Sequence, residues 1–336
     1  YFAQDYAEFY SQFPAHNTVC VDGISSYPVM KCNHPFELKS YYPASEQKKG
    51  IFNGITYADV YFREPESCAD QTRLTSIITT GENTGYYLDI FRSKKLDGGD
   101  MMHDYFYHNL GTDFKIKSTG NSQLDVKPTQ ELTFAGAHLN AYSYIYDQKK
   151  AETNQDIQVT FTMPMKNGDD IYMNLWQKGE TNRELFLAKS PMCEGLSRLP
   201  NMPYNIKENP MLTFVARQHG EAWTHPFVTI YEPSNKSEGS NIQSVTFFAD
   251  SNALKEFSGV KVVSKTIEEY QFEKEMKGIL DNWKGPRVLS ESELVANYIT
   301  NVKLSINLGY GNTKLEAIIN YPSSNSRSSI VFQGFL

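Results

Sequence analysis

The sequence predicts an all-β protein: a large two-layered antiparallel β-sandwich over residues 1–260, followed by a small C-terminal β-appendage over 261–336. Three observations carry this. Short β-branched or alternating runs recur with turn residues roughly every 8–15 positions. Aromatic residues reach 13%, with 22 Tyr and 20 Phe, in a chain with few helical patterns. Asn167-Gly168-Asp169 and Asp97-Gly98-Gly99 supply hairpin turn chemistry between the runs.

In chain order, an aromatic face comes first. Tyr6, Phe9, Tyr10 and Phe13 at i, i+3, i+4 and i+7 predict a short helix over Asp5–Phe13. Strands are then predicted over Thr18–Val21, Thr56–Phe62, Leu74–Thr79 and Tyr86–Arg92, and again over Gln158–Pro164, Ile171–Gln177 and Leu185–Lys189. Met211–Arg217, Phe227–Tyr231 and Ser244–Ala249 complete the sandwich. The polar stretch Glu232–Asn241 reads as a long hairpin loop, and the charged stretch Lys265–Lys284 as the better domain break. Beyond it, Ser290 with Glu293 forms a capping box before a short helix over Glu291–Ile299. Three more strands follow at Asn301–Asn307, Lys314–Tyr321 and Ser329–Phe335.

Composition excludes some function classes. No apolar run is long enough to span a bilayer. The net charge of −7, with no Lys/Arg block longer than two, argues against nucleic acid, since phosphate binding needs a concentrated basic face. An anionic polysaccharide remains compatible, because a small local group of Arg, Lys and His suffices to hold it. Cys20, Cys32, Cys68 and Cys193 lack zinc-ribbon spacing and read as buried free thiols, with a Cys20–Cys32 bridge open if the chain is exported. The chain starts at Tyr1 without Met or leader, which reads as a processed product or a piece of something longer.

Two histidine contexts stand out. Pro14-Ala15-His16-Asn17-Thr18 places His16 at the start of a strand that ends in Asp22-Gly23. In His103-Asp104-Tyr105-Phe106-Tyr107-His108, a strand puts His103, Tyr105 and Tyr107 on one face and Asp104, Phe106 and His108 on the other.

The opening YFAQDYAEFYSQFPAHNTVCVDG resembles the "AHNTV-VDG" block of heparinase II/III-type polysaccharide lyases. GYYLDIFRSKKLDGGDMMHDYFYHNLG looks like that family's Asp-Ile-Phe-Arg and His-Asp-Tyr strand pair, and FVTIYEP (Phe227–Pro233) like its Phe-Val-x-x-x-Glu-Pro strand. The three blocks stand in the family's order over roughly residues 1–265; the last 70 or so residues resemble nothing nameable.

The resemblance implies β-elimination on a uronic-acid polysaccharide held between an N-terminal helical toroid and a β-domain. A base removes the C5 proton, an Asn or His neutralises the carboxylate, and the C4–O4 bond breaks. The family's principal base and neutralising residues lie in the toroid, so no catalytic residue is assigned with certainty in this chain. The chain is expected to be one half of a split lyase, inert without its toroid partner, and secreted or periplasmic. Acidic composition favours alginate as the polymer. Heparin or another glycosaminoglycan, or a non-catalytic carbohydrate-binding role, is the alternative. By resemblance His16 is a metal ligand, for Zn²⁺ or alternatively Ca²⁺ or Mn²⁺, completed by upstream His and Asp. Tyr6 and Tyr10 either approach the cleft or pack on the sheet. Arg92 and His103 either orient substrate or tie the structure together.

Overall fold

A computed structural model describes residues 6–25, 36–42, 55–81, 83–120, 123–137, 140–192, 209–249 and 258–265, together with the backbone of three strands between 302 and 335. The chain opens with a π-helical turn (Tyr6–Tyr10) and a 3₁₀ turn (Phe13–Ala15), then the three-residue strand β1 (Val19–Val21). β2 (Glu37–Tyr42), β3 (Ile55–Glu64), β4 (Ala69–Thr79) and β5 (Gly85–Lys95) pair in sequence as an antiparallel meander. β6 (Met102–Asn109), β7 (Asp113–Ser118) and β8 (Lys127–Pro128) lead to two 3₁₀ turns, Glu131–Phe134 and Ala141–Tyr144. Next come β9 (Tyr146–Glu152), β10 (Ile157–Met163), β11 (Ile171–Gln177), β12 (Arg183–Ser190), β13 (Met211–His219) and β14 (Phe227–Asn235). β15 (Ile242–Ala249), β16 (Ser258–Ser264), β17 (Val302–Asn307), β18 (Thr313–Asn320) and β19 (Arg327–Phe335) complete the described strands.

These form a six-stranded sheet in the order β1-β6-β13-β12-β9-β8 and an eight-stranded sheet in the order β2-β3-β4-β5-β14-β11-β10-β7. A five-stranded sheet, β15-β16-β19-β18-β17, is the third. The fold is all-β, with antiparallel sheets stacked face to face as the sequence predicts. One face of the eight-stranded sheet packs Phe91, Phe161, Leu175 and Phe227 against Tyr105, Leu187 and Phe214 of the six-stranded sheet. Its other face packs Leu74, Leu88, Ile90 and Ile230 against Val260 and Val262 of β16. Covered on both sides, β5 keeps Leu88 through Ser93 buried without alternation. On the outer face of the six-stranded sheet, Phe106, Phe186 and Val215 are covered by Phe9, Leu132 and Tyr142 from the helical turns.

Residue 260, where the sequence places the end of the sandwich, lies inside β16. Of the stretch 232–241, residues 232–235 belong to β14, and 236–241 form a crossover and not a hairpin loop, because β14 and β15 belong to different sheets. Glu232 makes that crossover: its buried carboxylate accepts the Asn241 and Ile242 backbone N–H groups at 2.7 and 2.8 Å and the Ser240 hydroxyl at 2.5 Å. The helix predicted over residues 5–13 is reduced to the two turns, the Gln12 N–H bonding the Phe9 carbonyl and the Phe13 N–H the Ser25 carbonyl in place of the i−4 bonds that a continued helix needs. The helix predicted over 291–299 lies outside the described residues.

β9 escaped the pattern because Tyr-Asp-Gln-Lys-Lys-Ala-Glu buries only Gln148 and Ala151, on a strand whose other neighbour is two residues long. The Asp22-Gly23 turn is as expected, both residues having positive φ. A Cβ on Gly23 would lie 1.8 Å from the Ala135 carbonyl oxygen, so only glycine fits there. Cys20 is a buried free thiol donating to the Ile24 carbonyl, whereas Cys68 is free but exposed, contrary to the expectation of burial. Cys32 and Cys193 lie outside the described residues.

Candidate functional site

The two large sheets do not match in width, and that mismatch makes a cleft. β1 is the edge of the six-stranded sheet, three residues long, and it lies over β4, whose Gln71 side chain reaches the Val19 carbonyl. Beyond it the eight-stranded sheet continues uncovered. Thr56, Thr75, Ile77 and Tyr87 are exposed there on the side facing the six-stranded sheet, Ile77 being 51% and Tyr87 44% accessible. The resulting cleft of about 450 Å³ is walled by Asn17, Arg73, Asp89, Tyr107 and Tyr231. An open groove with an apolar floor and a few converging polar groups is the ordinary form of a ligand site.

A hydrogen-bonded chain runs through its inner wall. Arg73 grips the buried Asp89 with both Nε (2.9 Å) and Nη2 (2.7 Å). The Tyr105 hydroxyl donates to Asp89 Oδ2 at 2.7 Å and also contacts the Tyr231 hydroxyl. Because Tyr105 gives its proton to Asp89, Tyr231 must donate to Tyr105, and every donor in the chain points toward the carboxylate. Burial works against the charge on Arg73, but Asp89 more than restores it and raises its pKa. Burial, reinforced by Asp89, pushes both Tyr105 and Tyr231 well above the ordinary tyrosine range. Tyr107 lies beside them, its ring centroid 4.7 Å from Tyr231 and 5.5 Å from Phe161. Its hydroxyl has no hydrogen-bond partner among the described residues, and burial raises its pKa too.

The outer wall is the loop carrying Asn17. Its carbonyl oxygen accepts Arg73 Nη1 at 2.9 Å, and its side-chain Oδ1 accepts the His108 backbone N–H at 2.7 Å. His108 braces this loop from beneath. Its Nε2 lies 2.9 Å from the Pro14 carbonyl, which can only accept, so Nε2 carries the proton. Nδ1 meets the Thr213 hydroxyl at 3.0 Å. Burial lowers the His108 pKa from 6.5 to about 4, with His16 adding to the effect and the Pro14 hydrogen bond opposing it.

The unfolded chain therefore binds a proton near pH 6.5 that the folded chain refuses until about pH 4. Stability is expected to fall as pH drops through this window, by up to about 3 kcal/mol. Urea unfolding of wild type and His108→Gln at pH 7.5 and 4.5 checks this, the variant losing much of the pH slope.

The residues singled out by sequence are dispersed. Tyr6 is 41% exposed, and Tyr10 donates to the Met192 carbonyl at 2.8 Å; both belong to the turn beside Phe9, which packs on the outer face of the six-stranded sheet, opposite the face that borders the cleft. Arg92 is fully buried, its guanidinium bonded to Ser258 Oγ (2.8 Å) and the Trp223 carbonyl, so it ties β5 to β16 and cannot reach a polymer in this fold. His103 is also fully buried, with Nε2 2.8 Å from Asp100. His103, Tyr105 and Tyr107 share the inner face of β6 as predicted, but only Tyr107 lines the cleft. His16 is exposed at the end of the Asn17 loop. Among the described residues no group of three His, Cys, Asp or Glu could hold a metal. The nearby His108 has both ring nitrogens engaged, so the described chain offers His16 alone and fits no metal by itself.

Arg73, Asp89, Asn17, Tyr107 and Tyr231 are the site residues that sequence reasoning passed over. Four of them lie inside the three blocks that carry the family resemblance; Arg73 lies outside all three.

No protein-family model matches the chain. An endo-acting ulvan lyase from Formosa agariphila is 27% identical over 294 residues, covering 85% of this chain and 34% of the relative. The chain thus spans about a third of that relative's length. A solved structure of heparinase III aligns over 75% of this chain and 28% of its own, with 9% identity and a TM-score of 0.35. Over most of its length, this chain is similar to part of a polysaccharide lyase.

Proposed function

We propose that the chain is the β-domain of a polysaccharide lyase that cleaves a uronic-acid polymer by β-elimination. The observation that carries this is the Tyr107 hydroxyl at the cleft, without a hydrogen-bond partner among the described residues, in a chain similar over 85% of its length to an endo-acting ulvan lyase. Elimination needs one group to take the C5 proton and another to protonate the departing O4 as the C4–O4 bond breaks. The raised pKa of Tyr107 keeps it protonated at neutral pH, which suits the second task and not the first. The base is then supplied by the N-terminal helical toroid that the family resemblance implies.

The relative's name favours ulvan over the alginate that composition suggests. The polymer is met outside the cytoplasm, in a secreted or periplasmic protein; no helix among the described residues is long and apolar enough to cross a membrane. The test is ultraviolet absorbance of the unsaturated product, with the chain joined to its toroid partner. Ulvan, alginate, heparin, chondroitin and hyaluronan are the substrates. Product from ulvan supports the reading, product from alginate alone moves the specificity, and product from none ends it.

Zinc at His16 is a separate proposal that needs ligands from outside the described residues, and no step above passes through it. Elemental analysis of the assembled protein and its His16→Ala variant decides it, equal metal content removing His16 from the ligand set.

A further inference from the structure

Arg73 and Asn17 are each held in place with donors to spare. Three of the five Arg73 N–H groups are committed, to Asp89 twice and to the Asn17 carbonyl once. The remaining two belong to Nη1 and Nη2 of a side chain 30% exposed at the cleft. The orientation of the Asn17 amide is equally determined. A backbone N–H can only donate, so the atom facing His108 N must be Oδ1, and the two Nδ2 hydrogens are turned away from it. Neither they nor the spare Arg73 hydrogens have a partner among the described residues. The two residues are joined directly by the 2.9 Å bond from Arg73 Nη1 to the Asn17 carbonyl. A planar guanidinium edge beside a primary amide, both rigidly braced, matches the two oxygens of a carboxylate.

We propose that Arg73 and Asn17 form a carboxylate-recognition corner that selects uronate-bearing over neutral sugars in the cleft. The inference rests on the lyase reading for the identity of the polymer, and on the geometry alone for the carboxylate. Asp89 already balances the charge of Arg73, so selection depends on directed N–H donors more than on net charge. Affinity for an acidic oligosaccharide is therefore expected to fall only shallowly with salt.

The experiment compares binding of ulvan oligosaccharides in two forms, native and with their carboxylates reduced to alcohols, by calorimetry on the full chain. Wild type is expected to prefer the native form by about tenfold or more. Asn17→Asp retains the acceptor for His108 N–H but sets a negative charge against the ligand, and should erase the preference for the native form, bringing the native-to-reduced ratio to about one. Arg73→Lys keeps the charge for Asp89 and loses the fork, and should weaken only the native form; thermal melting confirms that both variants are folded. A native-to-reduced ratio unchanged by Asn17→Asp, or equal weakening of both forms, overturns the corner and leaves the lyase reading to its product assay. A preserved, Asn17-dependent preference without cleavage by the assembled protein supports the corner and overturns the lyase reading. Failure of wild type to bind either form overturns the corner outright.

Discussion

On the proposed lyase reading, Tyr107→Phe is expected to lower turnover by roughly 10²–10⁴-fold, the usual contribution of a positioned proton donor. The fold should not notice the change. The ring keeps its edge contact with Phe161 at 5.5 Å and its tilted contact with Tyr231 at 4.7 Å. The hydroxyl that is lost makes no hydrogen bond among the described residues, so no buried partner is left unsatisfied. Thermal stability should therefore stay close to wild type while kcat falls and KM changes little, since the missing interaction develops as the C4–O4 bond breaks. Steady-state kinetics on the polymer with a parallel melting curve check this. A kcat within about threefold of wild type would remove Tyr107 from the reaction.

The second large effect concerns stability. Asp104 and Arg217 are cross-strand partners on β6 and β13, joined by two bonds of 2.7 and 2.8 Å, and Asp104 is fully buried. The Tyr142 hydroxyl donates to the same carboxylate at 2.7 Å, fastening the 3₁₀ turn Ala141–Tyr144 onto the outer face of the six-stranded sheet. Asp104→Ala leaves a buried guanidinium and a buried hydroxyl without their acceptor and should cost about 3–5 kcal/mol. The pair itself need not be stabilising, because two ions had to leave water to form it. Asp104→Leu with Arg217→Met and Tyr142→Phe is thus expected to recover most of the loss. Denaturant unfolding of the single and triple variants separates the two outcomes. A triple variant as weak as Asp104→Ala would mean that packing, and not the orphaned charge, sets the cost.

How much of this was legible in the sequence depended on the range of the interaction. Period-2 alternation is a local property of one strand, and it located β10, β11 and the start of β14 closely and sorted the faces of β6 correctly: Tyr105 and Tyr107 lie inward, Phe106 and His108 outward. It failed at β9, where a charged strand buries two side chains, and the aromatic helical spacing failed at Phe13, whose backbone N–H bonds the distant Ser25 carbonyl and not the preceding turn. The all-β class follows from such local signals, because turn chemistry and strand alternation need no knowledge of partners; the family resemblance rests instead on the three sequence blocks themselves.

Only the tertiary structure decided the site. In sequence Arg73 is one polar position in Gln-Thr-Arg-Leu-Thr; its register opposite Phe91 makes Asp89 its diagonal neighbour on the next strand. Asn17 stood next to the histidine that the resemblance emphasised, but its role depends on Arg73, 56 positions away, and on His108, 91 positions away. Arg92 and His103 are as prominent in the sequence as any cleft residue, yet stacking buries them because their strands are covered on both faces. The cleft itself exists because β1 ends the six-stranded sheet while the eight-stranded sheet runs on beneath it. A single strand's residues carry no record of where the opposing sheet stops.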